Sequence, residues 1–283
     1  MSKKLVFLLV AIFLFTTVAP VLAQSEDEIV ARYLKKAEKK QRQKVGLLTA
    51  GFSYGKLSDG SDYNTFRDYA NANISPGQPL EGIWRSKQFN LGFGMMLSPR
   101  TTLRLGFEYW LKMGNSKTGT YTMGIAPLGT QTDFNLQSEV QLYGITSGVD
   151  YYFLNPPSRD GIFNTLALRL SAEAGLYIAS WDIWEGASSF NLATSNFEDN
   201  REALKATSPG GTISLGADYP TPVFDMLLGM DVSYTYLNFT KVKSYNSVDE
   251  ELYVSYSADG EDRVELDFSG LRGKVQLKKF FRW

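Results

Sequence analysis

Residues 271–283 alternate with a period of two. Leu271, Gly273, Val275, Leu277, Lys279, Phe281 and Trp283 fall on one side, and Arg272, Lys274, Gln276, Lys278 and Arg282 on the other. A period of two with one apolar face describes a half-buried β-strand and cannot be laid on a helix. Seven earlier stretches repeat the pattern, at about 47–54, 89–97, 103–112, 143–153, 166–178, 213–219 and 224–234. The terminal strand is expected to begin near Val264, with an irregularity at Ser269-Gly270. No apolar run after residue 23 is long enough for a membrane helix, so any insertion must be by strands.

The connections alternate in length. Those after strands two, four and six are short (Ser98-Pro99-Arg100, Asn155 to Gly161, Pro220-Thr221-Pro222). The others are expected to be loops of roughly 20 to 30 residues, far beyond the usual hairpin connection. Such asymmetry, with an even strand count, brings both termini to the short-turn side.

Ahead of the strands stand two different segments. Lys3 and Lys4, the apolar run Leu5 to Val18, Pro20 and Val21-Leu22-Ala23 predict a signal peptide over residues 1–23, cut before Gln24. Residues 24–44 read as a helical leader. Ser25 caps it, Glu26, Asp27 and Glu28 open it, and Lys39, Lys40, Arg42 and Lys44 close it, each charge matched to the helix dipole. Without Lys3 and Lys4 the 29 basic residues become 27, against 30 acidic ones, for a net charge of −3. That balance offers no general attraction for nucleic acid.

Alternation alone leaves open whether the apolar face meets a core or lipid. The polar face of these strands is mostly Gly, Ser and Thr, suited to a crowded interior. Aromatics gather near the strand ends. Tyr151, Tyr152, Phe153, Phe224, Phe281 and Trp283 are expected as a lower belt, with Tyr109, Trp110, Tyr177, Trp181 and Tyr236 as an upper one. The apolar face is therefore expected outward.

From about Val45 to Trp283 the chain resembles the small eight-stranded bacterial outer-membrane barrels, such as the outer-membrane protein A, X and W types. Pattern, topology and the segment Asp267-Phe268-Ser269-Gly270-Leu271 through Trp283 carry the resemblance. It implies an all-β, transmembrane antiparallel up-and-down barrel over residues 45–283, located in the outer membrane with both termini periplasmic. Gly273, Val275, Leu277, Phe281 and Trp283 would form the assembly signal. Partners implied are outer-membrane lipid, lipopolysaccharide and the barrel assembly machinery. Lys279 departs from the apolar run, though its ammonium can reach the interface.

Inward-facing charges are the first candidates for a site: Arg104, Glu108, Lys112, Asp150, Arg169, Glu173, Asp231 and Lys274, joined by Asp218, Asp225 and Lys278. An eight-stranded barrel is narrow enough for side chains to fill, and buried charges must pair. The expectation is an ion-paired plug. A narrow channel or hydrophobic-solute conduit lined by the same groups is the alternative.

Catalysis is disfavoured because the chain has no histidine and no cysteine. No cofactor motif or metal-ligand spacing is present. Recognition is assigned to the loops: Tyr63, Phe66, Arg67, Tyr69 and Trp84 in the first, and Asp249, Glu250, Glu251, Asp259, Glu261 and Asp262 in the fourth. The expected role is non-enzymatic, structural or in surface recognition.

Overall fold

The computed structural model describes residues 45–58, 61–73, 79–123, 130–156, 166–190, 195–221, 226–245, 251–252 and 264–282. The expected signal peptide, the leader, Phe224, Asp225, Trp283, and Asp249, Glu250, Asp259, Glu261 and Asp262 lie outside the described residues.

Eight strands make the wall: β1 (Val45–Leu57), β2 (Arg85–Ser98), β3 (Thr101–Met123), β4 (Thr130–Leu154), β5 (Ala167–Phe190), β6 (Ser195–Pro220), β7 (Leu227–Tyr245) and β10 (Gly270–Arg282). Each pairs antiparallel with its neighbour, and β10 pairs with both β7 and β1, closing the ring. Closure pairs every wall strand on both sides within the ring, while above it β3 beyond Trp110 pairs with β4 and β6 before Ala203 pairs with β5. Two short strands, β8 (Glu251–Leu252) and β9 (Val264–Asp267), add to the upper part of β7. Among the described residues one helix, α1 (Asp62–Asn73), lies in the connection between β1 and β2.

Where they fall on described residues, all eight alternating stretches are strands, and the irregularity at Ser269-Gly270 separates β9 from β10. Two of the expected long loops are different. The connections after β3 and β5 continue as paired hairpins, down to Met123↔Thr130 and Phe190↔Ser195. The backbone ladder continues there although the simple apolar alternation has stopped.

The patterning inverts part-way up the wall. On β4, Tyr143, Ile145 and Phe153 are exposed outward, while Gly144, Thr146, Gly148 and Asp150 are buried inward. Above Tyr143 the outward residues become Gln141, Glu139 and Gln137, and the inward ones Leu142, Val140 and Leu136. On β5 the outward series Leu168, Leu170, Leu176, Ile178 gives way to Ser180 and Asp182, and the inward series changes from Arg169 and Glu173 to Ala179, Trp181 and Ile183. Apolar-out with polar-in is the rule for a wall in lipid, and polar-out with apolar-in for a wall in water. From Tyr143 to Phe153, a strand tilted by about 40° rises roughly 26 Å, close to the height of a membrane barrel's apolar band.

The short turns close the opposite end. Thr221 N–H donates to the Met226 carbonyl at 2.9 Å. Asn155 takes a left-handed φ of 46° after β4, and its side-chain amide donates to the Leu166 carbonyl at 2.9 Å, a conformation asparagine tolerates.

Candidate functional site: the barrel interior

Every wall strand sends alternate side chains into the lumen, and they sort into three tiers. At the short-turn end, Tyr152, Ala167 and Leu227 are buried together with Phe280 packed against them. This is an apolar floor.

Above it lies a web of charges. The guanidinium of Arg169, fully buried, reaches Asp150 at 3.4 Å, Asp218 at 3.2 Å and Asp231 at 2.5 Å, and donates to Ser171 Oγ at 2.6 Å. Arg104 pairs with Asp150 at 3.0 Å and with Glu173. Lys278 Nζ sits 2.8 Å from Asp218, which also accepts from the Tyr152 hydroxyl at 2.8 Å. Gln276 donates its amide to Asp231 at 2.6 Å. Higher up, Glu108 accepts from the Tyr177 hydroxyl at 3.3 Å, and Arg272 lies 4.0 Å above the Trp110 ring and donates to the Phe268 carbonyl at 3.1 Å. Counting Lys274, five cations (Arg104, Arg169, Arg272, Lys274, Lys278) meet five carboxylates (Glu108, Asp150, Glu173, Asp218, Asp231). Among the described residues the formal charges of this tier balance.

Glycines make room for this web. Gly94 and Gly148 stand in register with Arg104, Gly148 also with Glu173, Gly216 with Arg169, Gly229 with Gln276 and Asp218, Gly55 with Arg272, and Gly144 with Tyr177 and Glu108. A methyl group at Gly216 would meet both Asp231 and the Arg169 guanidinium. Small residues facing large ones are how a narrow barrel fits its contents. Two cavities of about 20 Å³ remain, lined by Glu108, Glu173 and Lys274 among others. Each has room for about one water.

The third tier is a second apolar layer, closed from above by α1. Tyr63 and Phe66 of that helix pack on Trp181, with ring centroids 5.4 Å apart in each case. Trp110, Met113, Leu142, Tyr177, Leu237, Phe239, Leu266 and Phe268 complete the cluster. The helix is tied down at several points. Asp62 accepts from the Glu265 backbone N–H at 2.6 Å, and the Tyr63 hydroxyl donates to the Ser138 carbonyl at 3.3 Å. Burial raises the Tyr63 hydroxyl above its ordinary pKa. Asn71 accepts from the Leu80 N–H at 2.8 Å and donates to the Leu80 carbonyl at 3.0 Å, closing the loop that follows.

The structure therefore gathers Arg104, Glu108, Asp150, Arg169, Glu173, Asp231 and Lys274 in one web. Lys112 is not among them. A bulge between Trp110 and Met113 in the β3–β4 register makes Met113 the next inward residue. Lys112 is left on the outside, where its ammonium meets Glu139 at 2.5 Å. Four expected belt aromatics are also reassigned: Tyr152, Trp110, Tyr177 and Trp181 point inward and are buried. Of the first-loop aromatics, Tyr63 and Phe66 are core of the cap, while Tyr69 and Trp84 are exposed. The reach of α1 into the lumen left no periodic mark. The glycine opposite Tyr177 was the available signal for its inward position.

No protein-family model matches the chain, and no curated protein matches it in sequence. Among solved structures it is similar to the attachment invasion locus protein Ail of Yersinia pestis, at 11% identity and a TM-score of 0.33, over 85% of this chain and 99% of that one. It is similar to the outer membrane protein OprG of Pseudomonas aeruginosa, at 14% identity and a TM-score of 0.38, over 84% and 96%. A major outer membrane protein of Thermus thermophilus gives 12% identity and a TM-score of 0.41, over 85% and 100%.

Proposed function

We propose that this protein is a non-enzymatic bacterial outer-membrane barrel with an electrically closed lumen, serving as a scaffold that presents its long-loop end for structural or recognition purposes. One observation carries the reading: a charge-neutral web fills the lumen beneath an apolar cap that includes α1. An ion crossing it would have to displace paired charges and then pass an apolar layer, both costly steps. Outer-membrane placement is supported by the inversion of patterning along β4 and β5. Both termini would then be periplasmic, with the lumen residues in a structural role. At the outer end, exposed Tyr69 and Trp84, the latter 5.1 Å beneath the Arg67 guanidinium, offer a recognition surface.

The test is single-channel recording of the refolded protein in a planar bilayer, with a heat-modifiable gel shift as proof of folding. Folded protein without discrete openings is expected, and a stable conductance of defined size would overturn the closed-lumen reading. A small channel is the second reading, favoured by the two water-sized cavities, and it requires α1 to leave the cap.

A further inference from the structure

At the short-turn end of the lumen, one contact of the web differs chemically from its neighbours. Arg104 and Arg169 meet their carboxylates through guanidinium groups, which stay protonated and do not act as nucleophiles. Among the described residues, Lys278 alone in the lumen brings a primary amine onto a carboxylate, with Nζ 2.8 Å from Oδ2 of Asp218. Both side chains are fully withdrawn from solvent. Lys278 stands in register with Leu227, and Asp218 with Ala167, so the pair borders the apolar floor.

The two residues belong to strands that do not pair with each other. β7 lies between β6 and β10, and its Gly229 stands opposite both Asp218 and Gln276. A methyl group on Gly229 would meet Asp218 Oδ1 at 2.8 Å and Lys278 Cε at 3.2 Å. The missing side chain opens the route by which the β10 lysine crosses β7. Hydrogen-bond donors converge on the carboxyl group. The Tyr152 hydroxyl donates to Oδ2 at 2.8 Å, and Arg169 Nε lies 3.3 Å from Oδ1 and 3.2 Å from Oδ2. Donors so placed draw electron density from the carboxyl carbon and stabilise an oxyanion formed there.

An amine that the fold holds against an electrophile needs no encounter to react. We propose that Lys278 and Asp218 condense to an isopeptide bond that staples β10 to β6 across β7. One ammonium proton passes to Oδ2, giving a neutral amine and a neutral carboxylic acid and relieving the cost of two buried charges. Nζ then adds to Cγ, and the charge developing on Oδ1 is held by Arg169 Nε. The Cγ–Oδ2 bond breaks. Oδ2 leaves as water, carrying the proton it received and a second one from Nζ, while the Tyr152 hydroxyl donates to it. Ammonium and carboxylate become amide and water without a co-reactant. One cation and one carboxylate disappear together, so the charge balance of the tier is kept. The bond is independent of whether the lumen conducts and of what the outer end recognises.

The experiment follows intact mass while urea-unfolded protein from inclusion bodies refolds into lipid vesicles, each sample being unfolded again before weighing. The expected product is lighter than the linear chain by one water and appears only after the heat-modifiable gel shift shows a folded barrel. Peptide mapping should find the segments holding Asp218 and Lys278 joined, with no tryptic cut after Lys278. Lys278→Met should keep the linear mass. Tyr152→Phe, scored where the gel shift shows folding, should slow the mass loss on the order of a hundredfold. An unchanged rate would overturn the part assigned to the Tyr152 hydroxyl. Folded parent protein that keeps the linear mass would overturn the proposal, whatever the variants do. So would a water loss that persists in Lys278→Met or maps to an Asp-Gly step such as Asp160-Gly161, where a cyclic imide forms by the same loss.

Discussion

Replacing Arg169 by methionine keeps much of the side chain's volume and removes one charge from a neutral tier. The three carboxylates it touches do not suffer equally. Asp150 keeps Arg104 at 3.0 Å, and Asp218 keeps Lys278 and the Tyr152 hydroxyl, each at 2.8 Å. Asp231 keeps the neutral Gln276 amide at 2.6 Å as its close partner. Breaking a buried pair by deleting one member costs about 3–5 kcal/mol, because an uncompensated charge remains. Arg169→Met should therefore destabilise the folded barrel by about that amount. Removing the orphaned charge as well, in Arg169→Met/Asp231→Asn, should restore neutrality with four charges of each sign and recover about 2 kcal/mol. The measurement is reversible urea unfolding in lipid vesicles, followed by tryptophan fluorescence and the gel shift, as a double-mutant cycle with Asp231→Asn alone. A single variant within about 1 kcal/mol of the parent would refute the argument that the tier's balance matters. So would a double variant no more stable than Arg169→Met.

Four further outcomes follow from the same geometry. Trp181→Ala, which empties the contact under Tyr63 and Phe66, should cost about 3–5 kcal/mol and speed proteolysis of the β1–β2 connection in folded protein. Gly114 has a φ of 107°, and a methyl group there would meet the Ser138 carbonyl and the Tyr63 hydroxyl. Gly114→Ala should therefore destabilise the barrel by about 1–3 kcal/mol in the same urea assay. Lys112→Ala, outside the lumen, should change stability by less than about 1 kcal/mol. Because burial raises the Tyr63 pKa, its contribution is complete below about pH 10 and declines as pH rises above that value. Tyr63→Phe should remove that part of the alkaline slope in unfolding measured between pH 8 and about 11.5.

The sequence revealed the wall better than its contents. Alternation located every wall strand because, within the apolar band, lipid outside and polar groups inside impose opposite demands on successive residues. Arg104, Asp150, Arg169, Glu173 and Asp231 were legible as inward for the same reason. Lys112 was not, because a bulge shifts the phase between Trp110 and Met113 without altering the composition around it. Tyr177 and Trp181 were assigned to a belt because an aromatic near a strand end suits a membrane interface and a buried cap equally well. Their inward parity with Arg169 and Glu173 decides between the two. α1 was unreadable as a plug, since Tyr63 and Phe66 find their partners on β5, more than 100 residues away.

The two interior layers answer different physical problems, and their order along the barrel follows from where water stops. Within the apolar band the outer face must be hydrophobic, so nearly all polarity goes to the inside, and a narrow lumen requires it to be paired. Beyond the band the outer face becomes polar and the inner one apolar, as on β4 above Tyr143 and β5 above Ile178. That upper ring needs something apolar to fill it, because an open tube lined by Leu136, Val140, Ile183 and Leu204 would expose a hydrophobic surface to water. Tyr63, Phe66 and Ala70 of α1 supply part of the filling. The helix is therefore a structural consequence of strands that outgrow the membrane. Shortening the hairpins to the band without removing α1 would leave its apolar face uncovered, whereas shortening both should preserve the web of charges below.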